Sequence, residues 1–69
     1  MPLYLVELTD GSIKKVLRAA CTACARKIAV ENSGAEGTTV WRDPALSTVK
    51  FIEPDKGVQG VVLTWEKPQ

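Results

Sequence analysis

The chain contains no histidine, only two cysteines, and few aromatic side chains: two Trp, one Tyr and one Phe. Without histidine, no side chain has an unperturbed pKa near neutrality, and general acid–base work would fall to carboxylates, lysines or Tyr4. Ser12, Ser33 and Ser47 lie at turns or caps, and none sits in a nucleophile elbow. Gly34, Gly37, Gly57 and Gly60 do not make a phosphate cradle. A structural zinc site wants four ligands, and one Cys21-x-x-Cys24 pair without histidine supplies half of them. No enzyme activity, catalytic residue, metal or cofactor is therefore expected.

An excess of either charge is also missing. Nine basic and eight acidic residues leave a net charge of +1, which argues against a generic phosphate-backbone binder. Long hydrophobic runs are absent too. The longest uncharged stretch, Gly57 to Trp65, is too short to cross a bilayer. The opening Met-Pro-Leu-Tyr lacks the basic segment and apolar core of a signal peptide. These features predict a cytoplasmic chain with reduced cysteines. At 69 residues it is read as one domain, 1–69, burying only about 60% of its unfolded surface.

The strand and turn signals are clear. Leu3 to Leu8 is an apolar run of strand length. Thr9-Asp10-Gly11-Ser12 then supplies an Asp-Gly hairpin turn, and Ser12 to Ala19 reads as the return strand. Lys14 and Lys15 would point to opposite faces. From Ala20 the composition turns to Ala, Cys, Arg and Lys, and Cys21, Cys24, Ala25, Ile28 and Ala29 recur at helical spacing. Asn32-Ser33-Gly34 ends this helix, with Gly34 suited to a left-handed position. Thr38 to Arg42 is β-rich and reads as a strand that Asp43-Pro44 breaks. Asp43 is placed to cap a short turn through Ala45 and Leu46. Thr48 to Glu53 alternates Val49 and Phe51 against Lys50 and Ile52. Pro54-Asp55-Lys56-Gly57 reads as a second turn. Val58 to Trp65, the most hydrophobic strand, is expected at the sheet centre, and residues 66–69 as a frayed tail. The class is α+β: a small single-layer antiparallel sheet, ββαβββ, with one helix on one face.

Two readings compete for the cysteines. As a shared helical face they would be small apolar residues at a helix–sheet interface. As a redox or metal pair they would make a dimeric zinc or thiol protein. The first is preferred, because no second ligand pair exists. Among surface candidates, Trp41-Arg42-Asp43 sets an aromatic beside a guanidinium at a proline-fixed corner, the composition of an interaction hot spot. Arg18, Arg26 and Lys27 are read as a secondary basic patch, which would serve a nucleic-acid binder with Tyr4 or Trp41 stacking.

Val16-Leu17-Arg18-Ala19-Ala20, followed by Ala25-Arg26-Lys27, resembles the opening of many very small phage, prophage and mobile-element proteins. Some compact anti-CRISPR and other host-inhibitor proteins are similar in size and β-hairpin–helix–β layout. The resemblance spans about residues 1–32. It implies a phage or mobile-element accessory protein, monomer or homodimer, that binds a host protein in the host cytoplasm. It assigns no individual residue a role.

Overall fold

The computed structural model describes residues 1–68; Gln69, part of the tail expected to fray, lies outside the described residues. The order is β1 (Leu3–Leu8), β2 (Ile13–Arg18), α1 (Thr22–Glu31), α2 (Thr39–Arg42), β3 (Ser47–Glu53) and β4 (Gly60–Glu66). The strands form one antiparallel sheet in the order β3-β1-β2-β4, with the helices packed on one of its faces. This is the α+β class that the alternation and the Ala-rich segment predict.

The hairpin forms as the Asp-Gly pair dictates. Gly11 takes a positive φ of 78°, and Asp10 accepts from the Ser12 amide and hydroxyl at 2.9 and 2.7 Å. Strand alternation then sorts β1. Tyr4, Val6 and Leu8 are buried, while Leu3, Leu5 and Glu7 face the other side. Leu17 and Ala19 join them, and α1 adds Ala25, Ile28 and Ala29. The small alanines allow the helix to approach the sheet closely. Asn32 caps its end, where its amide donates to the Ile28 carbonyl at 2.8 Å. The left-handed glycine after it is Gly37 (φ 82°), not Gly34.

Four expectations fail here, each for a tertiary reason. Thr38 to Arg42 is not a strand, because residues 39–42 form the short helix α2. Its β-rich composition is a weak preference, and it yields to complete burial of Trp41. The final strand is not central, because β4 is an edge paired only with β2. Residues 54–59 are accordingly no tight turn. They carry the chain from one sheet edge to the other, roughly 14 Å over three interstrand spacings. Lastly, Glu66 closes β4 instead of fraying, and the Lys67 amide donates to the Ser12 carbonyl at 2.8 Å.

A clasp holds the crossing segment. The Arg18 guanidinium pairs with Asp55 at 2.7 Å, and Asp55 also accepts from the Gly57 amide at 2.6 Å. The Met1 ammonium donates to the carbonyls of Asp55 and Gly57 at 2.8 and 3.1 Å. A Cβ at Gly57 would displace the Arg18 guanidinium from its place beside Asp55. The Gly57 amide and then Arg18 hold the Asp55 carboxyl below its ordinary value.

Candidate functional site

The residues singled out by sequence do not form one site. Trp41 is fully buried, so it is not a displayed anchor. Its indole donates to Glu36 at 2.7 Å, and the Lys15 ammonium lies 5.6 Å from its ring. Lys15 is itself buried and donates to the Asn32 carbonyl at 3.0 Å, at the C-terminal end of α1, where a cation is favoured. Strand parity predicts that Lys14 and Lys15 diverge. Nothing in the sequence marks Lys15 as the one turned inward under a tryptophan.

Arg26 is committed internally. It donates to the Trp41 carbonyl at 3.1 Å, the Ser47 hydroxyl at 2.7 Å and the Ser47 carbonyl at 3.0 Å. Asp43 caps locally, accepting from the Ala45 amide at 2.8 Å as its position before proline predicts. Arg18 belongs to the clasp, on the sheet face away from α1. The basic patch of Arg18, Arg26 and Lys27 is therefore not assembled. What the fold does bring together is Arg26, Lys27 and Arg42, which line a cleft of about 470 Å³ between α1 and α2 with Ala23, Val30 and Glu31. Only Lys27 and Arg42 of these cations are exposed.

The cysteines also depart from expectation. Cys21 and Cys24 are paired as a disulfide rather than free. They do not share a buried face, because Cys21 is the exposed N-cap of α1 and only Cys24 packs against the core. The Cys24 amide donates to Cys21 Sγ at 3.1 Å, which is what the extended backbone of an N-cap permits. Among the described residues, no group of three or more Cys, Asp or Glu side chains is placed to hold a metal.

The second surface is the open face of the sheet, which sequence reasoning missed. No helix packs on it, and the crossing segment meets it at Arg18. Leu5, Val16 and Leu63 lie side by side across β1, β2 and β4. Trp65 stands beside Lys14, whose ammonium is 5.4 Å from its ring. Leu63 is 60% and Trp65 45% exposed, so neither belongs to the core. Glu7, Lys14, Lys50, Arg18 and Glu53 surround this centre in the neighbouring register positions. An apolar centre with a mixed-charge rim is the anatomy of a protein-binding patch. Strand periodicity held the signal, but a central β4 would have hidden these residues.

Glu36 gives the site region its pH dependence. Burial pushes its carboxyl up, but the Trp41 indole, backbone amides including that of Gly34, and the Lys15 charge outweigh it and hold the carboxyl below the ordinary 4.5. A depressed acid stabilises the fold above its unfolded value and loses that contribution as pH falls through the lower, folded value. Stability should therefore drop below about pH 4.5 in acid titrations followed by circular dichroism. Glu36→Gln should flatten part of that slope, leaving the part due to Asp10 and Asp55, which are also depressed. An unchanged slope would show that the Glu36–Trp41 bond is not formed.

No helix among the described residues is long and apolar enough to cross a membrane. The chain matches no protein-family model, no curated protein and no solved structure, so its candidate surfaces are known by their geometry alone.

Proposed function

We propose that this chain is a non-enzymatic protein-binding domain and that the open sheet face is its docking surface. The observation that carries this reading is the exposure of Leu63 and Trp65 beside Leu5 and Val16. The chain leaves Leu63 and Trp65 outside its core, adjoining Leu5 and Val16 on one sheet face, and apolar patches of that kind mark interaction sites. A protein partner suits the face better than nucleic acid. Its centre is apolar, and its rim cations Lys14, Lys50 and Arg18 stand among Glu7 and Glu53. The α1–α2 cleft offers Lys27 and Arg42 as free cations, too few to neutralise many phosphates at once. The resemblance of residues 1–32 to mobile-element proteins supports a host protein as the partner and an accessory, inhibitor-like role.

The test uses tagged chain in a lysate of the source cells, followed by titration of the captured protein. Trp41 is already buried, so Trp65 fluorescence should shift to the blue as the partner covers the face. Val16→Lys and Leu5→Lys should stay folded and bind on the order of tenfold or more weakly, the scale of a lost hot spot. Unchanged binding by both folded variants would eliminate the open face as the docking surface.

A further inference from the structure

The two edges of the sheet are built differently. β3 carries Lys50 at its middle, whereas a register shift interrupts the ladders of both edges. A central charge is one device that blunts an exposed edge. β4 has neither a charge nor a proline from Gly60 to Trp65. Such an edge presents unpaired N–H and C=O groups to solvent and is a template for another strand.

The ladder settles which groups those are. The Lys67 amide donates inward to Ser12 on the β2 side. Backbone direction alternates along an antiparallel strand, so Trp65 and Leu63 also point inward toward β2. Glu66 and Thr64 therefore turn their N–H and C=O groups outward. Val62 is the extra residue of the register shift between Val16 and Leu17, and the alternation stops there.

We propose that β4 pairs antiparallel with β4 of a second copy of this chain, about a two-fold axis at Thr64. This register meets three conditions together. Thr64 faces Thr64 of the partner subunit, so these outward-turned residues meet as a hydrogen-bonded pair at the axis. Leu63 then lies opposite the other copy's Trp65, and Trp65 opposite its Leu63. Because Leu63 and Trp65 pair with Val16 and Lys14, both are on the open face, and directly opposed residues share a face. The two-fold axis is perpendicular to the sheet, so each contact occurs twice and the interface closes on itself. Two four-stranded sheets become one, with the helices on one side and a single continuous apolar face on the other. An axis at Leu63 would instead set Val61, which pairs with Leu17 on the helix side, against Trp65 on the open side.

Sedimentation equilibrium of the full chain tests this. The expected result is a concentration-dependent dimer. Thr64→Pro removes an outward N–H while leaving the inward ladder intact, a change tolerated at edges, and should give a folded monomer. Hydrogen exchange on the unaltered chain is the second measurement, independent of whether that variant folds. The amide of Thr64 should gain protection as concentration rises, whereas the edge amides of β3 should not. A chain that stays monomeric at every concentration overturns the proposal. So does a dimer that persists in folded Thr64→Pro, or one in which the Thr64 amide exchanges freely. Val16→Lys, which disables the open face, should leave the dimer unchanged, so failure of the docking surface and failure of the edge pairing are read separately.

Discussion

Trp41→Ala should yield a chain without a cooperative melt. Trp41 is the largest fully buried side chain, and removing such a residue costs about 3–5 kcal/mol in transfer and cavity terms. A chain of this length has about 3–10 kcal/mol of total stability. The substitution therefore removes a large part or all of it. Trp41→Phe separates volume from hydrogen bonding. It keeps most of the apolar bulk but leaves the Glu36 carboxylate without its indole donor, and should cost about 1–3 kcal/mol. Circular dichroism and thermal melting read both variants. If Trp41→Ala melts cooperatively within a few degrees of the unaltered chain, Trp41 does not occupy the core.

Arg26→Ala should be the second most damaging change at a residue that composition alone places on the surface. Its guanidinium is the joint between α1, the end of α2 and the start of β3, through the Trp41 carbonyl and both oxygens of Ser47. Ser47 is fully buried, so its oxygens have little recourse to water. Hydrogen bonds from a charged donor contribute about 1.5–3 kcal/mol, and a loss of about that size should appear as a lower urea midpoint. Arg26→Lys should rescue little, because an ammonium lacks the planar fork that reaches separated acceptors at once. Full rescue by lysine would mean that charge, and not geometry, holds the joint.

The same two residues show where the sequence is readable and where it is not. Arg26 sits beside Lys27 in a helix, and local spacing cannot tell the one turned toward α2 from the one left in solvent. Trp41 lies in a β-rich stretch, and strand propensity competes there with the need of a small core for one large side chain. The open sheet face was illegible for a related reason. The last strand is expected at the sheet centre, where both its edges would be paired, and only the crossing of residues 54–59 puts it at the edge.

By itself the sequence determined what depends on neighbours along the chain. The Asp10-Gly11 hairpin, the alternation that buries Tyr4, Val6 and Leu8, the Ala-rich helix and the Asp43 cap all follow from local stereochemistry and period. It also determined the α+β class, since one helix and several strands can bury their apolar sides only against each other. Tertiary structure decided strand order, the burial of Lys15 and Trp41, the internal use of Arg18 and Arg26, and the exposure of Leu63 and Trp65. These depend on contacts between residues far apart in the chain, such as Arg18 with Asp55 and Arg26 with Ser47. The physical reason is that periodicity says which residues share a face, whereas what covers that face is set by elements packed from elsewhere in the chain.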